Sequence, residues 1–252
     1  MLRAERITVD FGGVRAVAGV DLEVGAKEML GLVGPNGSGK TTLLNAVCGV
    51  VTARGALSVD GQRVRLSRPA ATRAAGIARV FQAPQIFDEL SCLENVLLSS
   101  PDGRLVGLVG AVLARPAMHR RERRREAAAL RALTTVGLAE YASTSSKTLS
   151  YGQRRLLELA RALAAEPKVL LLDEPSAGLN DAETAQLAQL LRETRDAGLA
   201  VVVVDHKIDF LDSLCDRLVV LELGKVIAQG PPDEVWRHQQ VINAYLGVAG
   251  NA

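Results

Sequence analysis

The sequence predicts an α/β fold whose central parallel strands are buried under helices on both faces. Three apolar runs support this prediction, because each has the length and composition of a strand without a solvent-facing side. They are Met29–Val33, Val169–Leu172 and Ala200–Val204. A glycine-rich loop, Gly34–Thr42, follows the first run and leads into a helical run that stops at Gly49. A loop of this kind between a buried strand and a helix is typical of α/β domains that bind phosphate.

The glycine-rich loop has the spacing of a phosphate-binding loop. It reads Gly34-Pro35-Asn36-Gly37-Ser38-Gly39-Lys40-Thr41-Thr42, which contains the pattern G-x-x-x-x-G-K-[ST]. Its glycines let consecutive backbone N–H groups turn inward and surround phosphate oxygens at the positive end of the following helix. Lys40 is expected to reach the β- and γ-phosphates, and Thr41 to place its hydroxyl on Mg²⁺. An ordinary glycine turn is the alternative, but strand, loop and helix together favour a phosphate site.

Length, charge and cysteine content narrow the possible classes of protein. The 252 residues are enough for one large α/β domain or two small ones, and the net charge of +2 indicates no strongly acidic or basic partner. Residues 1–6 lack the apolar core of a signal peptide, and the longest apolar stretch, Leu105–Ala114, is too short to span a membrane. Cys48, Cys92 and Cys215 have no disulfide or metal spacing, so they fit a reducing cytosol as small core residues.

Further β structure is predicted near the N-terminus. Residues 5–10 and 17–24 are rich in Ile, Val and Leu and are expected to be strands, with a turn at Phe11–Arg15 between them. Phe11 either packs into the core or presents an aromatic face to adenine. Leu57–Val64 is expected to be a hairpin that turns at Asp-Gly.

The middle of the chain is predicted to be helical. Ser91 and Glu94 form a capping box, S-x-x-E, at the start of a helix that ends before Pro101. Leu105–Ala114 is apolar all round and is either a core helix or a face that meets another protein. Arg115–Arg125 is either a patch for anionic lipid or RNA, or the solvated face of a long helix. The interleaved acidic and alanine residues favour the solvated face.

A second capping box is predicted at Ser150 and Gln153, in the pattern S-x-x-Q. The helix that it begins carries a glycine, Gly152, in its first turn. Glycine is a poor helix former, but it lets a ligand approach the backbone closely. This helix start is therefore either built to receive an anion or simply well capped.

Chemically active side chains are predicted where the buried strands end. Asp173 and Glu174 end the second apolar run, and His206 lies just after the third. Ligands of α/β proteins bind at this edge of the sheet, so Asp173 suits a Mg²⁺ ligand. Glu174 suits a base that orients or deprotonates water, and His206 a contact with the γ-phosphate. Gln82 ends another short strand, from which its amide could contact Mg²⁺ or the attacking water.

Taken together, these motifs resemble those of the ATP-binding cassette (ABC) family along nearly the whole chain. Their order is the one found in the family: Walker A, Q-loop, signature, Walker B, D-loop and switch histidine. The matching residues are Gly34–Thr41, Gln82, Leu149–Gln153, Leu170–Glu174, Ala177–Asn180 and His206. Phe11 stands where the family places the aromatic residue that stacks on adenine. One motif alone would indicate a P-loop NTPase, whereas six in register are specific to the family.

The resemblance implies a P-loop NTPase (RecA-like) ABC cassette with an antiparallel β subdomain and an inserted helical subdomain. We expect a single ABC ATPase domain over residues 1–252. Its nucleotide-binding core should comprise residues 1–86 and 155–232, with the helical subdomain at 87–154 and a C-terminal helical tail at 233–252. The resemblance also implies ATP and Mg²⁺ as cofactors.

The resemblance assigns expected roles to individual residues. Glu174, His206 and Gln82 are expected to be catalytic, and Thr41, Gln82 and Asp173 to hold Mg²⁺. The nucleotide is expected to contact Phe11, Gly34, Pro35, Asn36, Gly37, Ser38, Gly39, Lys40, Thr41, Thr42, Ser150, Gly152 and Gln153. The last three are expected to act across a dimer interface. In this family two cassettes face head to tail, and each ATP lies between one Walker A and the other signature.

A narrower resemblance is to the ATPase subunits of importers for branched-chain and other hydrophobic amino acids. The segments that carry it are Phe11–Val14, Leu149–Arg155, Ala177–Asn180 and Ala244–Gly247. Tyr151 and Asn180 depart from the general family pattern, but these residue types resemble those typical of the subfamily at the same positions. Lys207 stands where an acid is more usual, and Pro101–Ala117 does not match the subfamily closely.

The resemblance also implies partners. They are a second ABC ATPase subunit, either the same chain or a paralogue, two membrane-spanning permease subunits and an extracytoplasmic substrate-binding protein. The expected location is the cytoplasmic face of the inner membrane, with no nucleic-acid partner. The alternatives are a cassette for another import substrate such as an amide or urea, a lipid exporter, or a soluble ABC ATPase without a transport role. The last class usually carries a second cassette, a long coiled coil or a basic extension, and the sequence contains none of these.

Overall fold

The computed structural model describes residues 1–99 and 115–246. Contacts divide the chain into two compact units, residues 1–82 with residues 168 onward, and residues 83–167. The second unit contains the whole of the helix Tyr151–Leu163, which the predicted boundary between residues 154 and 155 divides. A continuous helix is one rigid element, so the structural unit keeps it whole. The assignment of the two units as nucleotide-binding core and helical subdomain stays a prediction.

The strands of the described residues all lie in the first unit, where they form two sheets. They are β1 (Leu2–Phe11), β2 (Val14–Val24), β3 (Met29–Val33), β4 (Arg54–Val59), β5 (Gln62–Val64), β6 (Ile77–Val80), β7 (Val169–Asp173), β8 (Ala200–Val204), β9 (Arg217–Glu222) and β10 (Lys225–Gly230). The helices are α1 (Lys40–Val47), α2 (Pro69–Ala74), α3 (Cys92–Ser99), α4 (Arg115–Thr135), α5 (Tyr151–Leu163), α6 (Asp181–Asp196), α7 (Ile208–Leu214), α8 (Pro232–Val235) and α9 (Gln239–Leu246).

The larger sheet has six strands in the order β10-β9-β3-β8-β7-β6. All neighbours pair in parallel except β10, which is antiparallel to β9. Every residue of β3, β7 and β8 is buried, which confirms the prediction from the three apolar runs. Because these strands are parallel, their carboxyl ends meet at one edge of the sheet and bring together the residues that follow them.

The smaller sheet is antiparallel, with four strands in the order β2-β1-β4-β5. Its β4–β5 hairpin turns at Asp60 and Gly61, whose φ angles are 50° and 74°. Positive φ at both central positions is why Asp-Gly suits this tight turn, so the predicted hairpin is confirmed. One apolar core joins β1 and β2 to α1 and the central strands of the larger sheet. The antiparallel β subdomain expected from the resemblance is thus present.

The second unit is helical. The predicted capping box starts α3, because Glu94 N donates to Ser91 Oγ over 3.2 Å and Ser91 N donates to Glu94 Oε2 over 2.8 Å. Both bonds satisfy N–H groups that the first turn would otherwise leave unpaired. The carboxylate of Glu94 accepts from Ser91 N and, over 2.7 Å, from Ser91 Oγ, and these two bonds hold the pKa of Glu94 below its usual value. Glu94 therefore stays ionised near neutral pH, where it can accept them.

The arginine-rich segment begins α4, and Arg123 and Arg124 are exposed there, as expected for a solvated helix face. The apolar segment Leu105–Ala114, which the sequence left as either core or partner surface, lies outside the described residues. Within residues 1–99 and 115–246, no helix combines the length and the apolar character needed to cross a bilayer.

Candidate functional site

The phosphate loop joins β3 to α1 at the carboxyl edge of the six-stranded sheet. Gly34 has a φ of 147°, and a Cβ at this position would lie 2.1 Å from the carbonyl oxygen of Leu221. Gly39 has a φ of 105°, and a Cβ there would lie 2.5 Å from the carbonyl oxygen of Ala16. Both the backbone angle and the lack of space exclude a side chain at these positions.

Lys40 is the first residue of α1, and only 7% of it is exposed. Its Nζ donates to the carbonyl oxygens of Gly34 and Pro35 over 2.7 and 2.9 Å. Burial lowers the pKa of Lys40, while the carboxylates of Glu174 and Asp173 act in the opposite direction. The ammonium group is therefore held against the loop, within electrostatic reach of the two acids at the end of β7.

The other residues of the loop differ in exposure. Asn36 and Thr41 are exposed, whereas Pro35 and Thr42 are half-buried. Ser38 is buried, and its hydroxyl oxygen has no hydrogen-bond partner in the part of the chain that the structure describes. A buried polar atom without a partner is uncommon in proteins, and here it lies inside the proposed phosphate cradle.

Asp173 ends β7 and forms a buried ion pair. Its Oδ2 accepts from Arg79 Nη2 over 2.6 Å, and the two side chains are 6% and 5% exposed. Arg79 also donates to Asn45 Oδ1 of α1 over 2.5 Å. Arg79 thus connects the carboxylate at the strand end to the helix that follows the phosphate loop. A buried carboxylate needs such a partner, since desolvation would otherwise favour its neutral form.

The Glu174 carboxylate contacts the two other predicted catalytic residues. Its Oε2 accepts from Gln82 Nε2 over 2.6 Å, and its Oε1 lies 3.0 Å from His206 Nε2. Glu174 also has a φ of 49°, which is uncommon for a residue with a side chain. Strained backbone of this kind is concentrated at functional sites. The structure therefore brings together the acid, the amide and the imidazole that the sequence placed on three separate strand ends.

Asp205 connects the turns on either side of this cluster. Its carboxylate accepts from Ser176 N and Ser176 Oγ over 3.0 and 2.8 Å, and from His206 N and Lys207 N over 2.7 and 3.0 Å. Only 6% of Asp205 is exposed. The turn after Glu174 and the turn that carries His206 are therefore joined by one buried carboxylate.

Phe11 is the last residue of β1, at the tip of a hairpin. It is 51% exposed. Of the two alternatives that the sequence allowed for this residue, packing into the core is therefore excluded. An aromatic side chain exposed at this position is available to stack on a base, but its adenine role stays a prediction.

The second predicted anion site belongs to the helical unit. Ser150 is the N-cap of α5, where Gln153 N donates to Ser150 Oγ over 3.2 Å and Ser150 N donates to Gln153 Oε1 over 2.9 Å. The predicted capping box is confirmed. Ser150 and Tyr151 are exposed, whereas Gly152 is buried. The hydroxyl oxygen of Ser150 already accepts one bond within the chain, and its proton can be donated elsewhere.

The donors at the sheet edge suit Mg²⁺. Thr41, Gln82 and Asp173 provide hydroxyl, amide and carboxylate oxygens, which are the hard ligands that Mg²⁺ prefers. In nucleotide sites this ion is bound through one or two carboxylates, together with phosphates and water. Within the described residues, no cluster of three or more His, Cys, Asp or Glu side chains could hold a metal.

Sequence reasoning assigned no role to Arg79 or Asp205. Asp205 ends a buried strand as Asp173 does, and that shared position is the signal that could have identified it. Arg79 lies within the short strand β6, where a charge between apolar neighbours indicates a buried partner. That partner is ninety-four residues further along the chain, so the sequence alone does not name it.

The fold and the loop together define a P-loop protein that hydrolyses a nucleotide. The chain belongs to the ABC transporter family, since a family profile described as an ABC transporter matches residues 17–177. A second profile, described as a branched-chain amino acid ATP-binding cassette transporter, matches residues 225–251. The chain is an ATPase of this family.

Curated relatives match the chain over nearly its full length. It is 36% identical to the high-affinity branched-chain amino acid transport ATP-binding protein BraF of Pseudomonas aeruginosa, with 99% of this chain and 98% of BraF covered. It is 33% identical to LivG of Escherichia coli, described in the same words, with the same coverage. It is also 33% identical to the lipopolysaccharide export system ATP-binding protein LptB of Haemophilus influenzae, with 98% and 97% covered.

Solved structures agree with this fold. The ADP conformation of MJ1267, an ATP-binding cassette of an ABC transporter, has a TM-score of 0.85 and 28% identity, with 98% of each chain covered. A dimeric post-hydrolysis state of the ATP-binding cassette MJ0796, bound to ADP and Pi, has a TM-score of 0.73 and 27% identity, with 92% of this chain and 99% of that chain covered. The predicted fold class, an α/β ABC cassette, is confirmed.

Proposed function

We propose that this chain is the ATP-hydrolysing subunit of an importer for branched-chain and other hydrophobic amino acids. We choose amino acids as the cargo because residues 225–251 match the C-terminal profile of the branched-chain amino acid cassettes. Overall identity does not separate the alternatives, because a lipopolysaccharide export ATPase is as similar as one of the amino acid importers.

In the proposed site, the phosphate loop holds the triphosphate. Backbone N–H groups of Gly34–Thr42 bind its oxygens, and Lys40 exchanges the Gly34 and Pro35 carbonyls for the β- and γ-phosphates. Thr41, Gln82 and Asp173 would hold Mg²⁺, which would neutralise charge on the phosphates. Phe11 stacks on the adenine.

Hydrolysis depends on the cluster around Glu174. Its carboxylate orients the attacking water and accepts its proton, while His206 contacts the γ-phosphate. The bonds from Gln82 and His206 hold the carboxylate in one orientation. Ser150, Gly152 and Gln153 complete the site from a second cassette, because the N-terminus of α5 offers N–H groups and a positive dipole end to a phosphate.

The proposed partners follow from this role. They are a second ATPase subunit, two permease subunits that provide the path through the membrane, and an extracytoplasmic substrate-binding protein. The chain would then lie at the cytoplasmic face of the inner membrane.

Purification of the tagged chain from its native membrane, with identification of every associated protein, tests this proposal. We expect a permease and a binding protein, and ATPase activity in proteoliposomes that rises when the binding protein carries leucine. A complex with the Lys40→Ala variant is the control, because it should assemble without stimulated hydrolysis. Association with a lipid export permease would favour the exporter, and the absence of any membrane partner would favour a non-transport ATPase.

A further inference from the structure

The C-terminal helix α9 reaches the phosphate loop through one side chain. Gly34 N, the first N–H of the loop, donates to the hydroxyl oxygen of Tyr245 over 2.9 Å. Gly34 is buried, so this N–H depends on a protein partner. The two residues are 211 positions apart in the chain, and nothing in the phosphate-loop motif requires the contact.

The position of the Tyr245 ring is fixed from the other side. The ring packs edge-to-face against Trp236, with 5.8 Å between centroids and 76° between planes. Trp236 Nε1 in turn donates to Asp212 Oδ1 of α7 over 2.5 Å. Tyr245 is 44% exposed, so the ring contact with Trp236 and the bond from Gly34 N are the contacts that restrict its rotamer. The hydroxyl is neutral near physiological pH, because the ordinary pKa of tyrosine is about 10. Partial desolvation raises the pKa of Tyr245 further, although the Gly34 N–H acts in the opposite direction.

The same end of the chain supports the loop at a second point. Gly224, in the turn between β9 and β10, donates its N–H to the carbonyl oxygen of Ser38 over 2.9 Å. The loop is therefore held at Gly34 by α9 and at Ser38 by this turn. Between these points, the carbonyl of Gly34 accepts from Lys40 Nζ. A rotation of the Gly34 backbone would move both the N–H that Tyr245 binds and the carbonyl that positions Lys40.

We propose that Tyr245 is a positioning residue for the phosphate loop. By accepting the Gly34 N–H, its hydroxyl holds the start of the loop in the conformation that directs the following N–H groups at phosphate. The C-terminal helix thereby sets how strongly the loop binds Mg·ATP. This inference rests on the proposed role of Gly34–Thr42 in binding the nucleotide, and it adds a determinant that lies outside the motif.

The Tyr245→Phe variant removes the hydroxyl and keeps the ring that packs on Trp236. We expect the Kd for a non-hydrolysable ATP analogue with Mg²⁺ to rise about three- to tenfold, the size of one hydrogen bond. The KM for ATP should rise in parallel, while kcat at saturating ATP stays within about twofold, since bound nucleotide restores the loop conformation. Amide hydrogen exchange should become faster in the peptide that contains Gly34.

Tyr141→Phe is the matched control, because it removes a tyrosine hydroxyl in the helical unit. It should leave the Kd and the exchange of the loop unchanged. If Tyr245→Phe lowers only the melting temperature, with parental Kd and parental exchange at Gly34, the residue is merely structural and the inference is wrong. Lys40→Ala separates the two proposals. Parental nucleotide affinity in that variant would contradict the phosphate site itself, whatever Tyr245→Phe does.

Discussion

The two helix starts that the sequence marks as anion sites are built differently. The N-cap of α1 is Gly39, in a left-handed conformation and without a side-chain cap bond. The N-cap of α5 is Ser150, in an extended conformation and with a reciprocal capping box to Gln153. The first helix start therefore leaves its N–H groups without a side-chain cap, whereas the second pairs the N–H groups of Ser150 and Gln153 with side chains.

This difference indicates two kinds of anion site. An uncapped helix start after a glycine loop leaves backbone donors that a ligand can satisfy, which supports our proposal that this one binds phosphate. A capped start is stable without a ligand. The groups that it can still offer to an anion are a hydroxyl proton, the unpaired N–H groups and the positive end of the helix dipole. The first is suited to hold the nucleotide within one chain, and the second to complete a site in another chain.

The largest effect is expected at Glu174, whose carboxylate is the proposed general base. Glu174→Gln should lower the rate of hydrolysis about a thousandfold, because an amide cannot accept the proton of water. Binding of ATP should persist, and ATP should accumulate in a closed dimer. Phosphate release and size exclusion with ATP measure both effects, with Glu140→Gln, an exposed acid of the helical unit, as control. Parental turnover in Glu174→Gln would remove this residue from the base role.

The next effect tests the uncapped helix start. Lys40→Ala should lower hydrolysis about a hundredfold or more, because a charge is lost from the phosphate clamp. Circular dichroism should be unchanged, since within residues 1–99 and 115–246 the lysine side chain donates to two carbonyls of its own loop. A well-folded Lys40→Ala protein that turns over ATP at the parental rate would mean that the nucleotide binds elsewhere.

The capping role of Ser150 and its proposed contact with phosphate can be tested separately. Ser150→Gly removes the hydroxyl donor at an N-cap position where glycine is nearly as well tolerated, so the melting temperature should change little. Hydrolysis should fall about tenfold, as for the loss of one hydrogen bond to a charged group. Ser150→Ala should lower both stability and hydrolysis. If Ser150→Gly hydrolyses ATP at the parental rate, the serine hydroxyl has no role in hydrolysis and the proposed difference between the two helix starts is wrong.

The smallest effect is expected at Asp205, which joins the two turns around Glu174. Asp205→Asn replaces an acceptor-only carboxylate that faces four donors with a group that carries its own N–H, so part of the network must break. We expect kcat to fall about fivefold with an unchanged KM for ATP, because His206 and Glu174 lose their alignment while the phosphate loop does not. A rise in KM alone would place the role of Asp205 in binding rather than in alignment.

Local patterns predicted much of the fold and part of the candidate site. The buried strands, the Asp-Gly hairpin and the capping boxes at Ser91 and Ser150 follow from composition and spacing over a few residues, and the structure contains each of them. Glu174 and His206 were expected at one edge because parallel strands end together. Such arguments depend only on periodicity and on the direction of neighbouring strands.

Contacts between distant segments were not predictable in this way. The fold brings distant partners close to Arg79, Asp205 and Tyr245. The order of the strands and the path of the C-terminus determine which partners these are. Their residue types are ordinary, and a single sequence contains no pattern that joins them. The predicted boundary between residues 154 and 155 falls within α5, because a motif ends at Gln153 while the helix continues to Leu163.

We propose that the uncapped and the capped helix start serve one nucleotide from two different chains. Lys40→Ala and Ser150→Arg should each be inactive alone. In a mixed dimer, one composite site carries both changes and the other carries neither, so ATPase activity should return. Two different affinity tags isolate the mixed dimers, and a dimer of wild type with Lys40→Ala shows whether one intact site turns over. We expect the mixed dimers to be active. Inactive mixed dimers beside an active wild-type/Lys40→Ala dimer would contradict it.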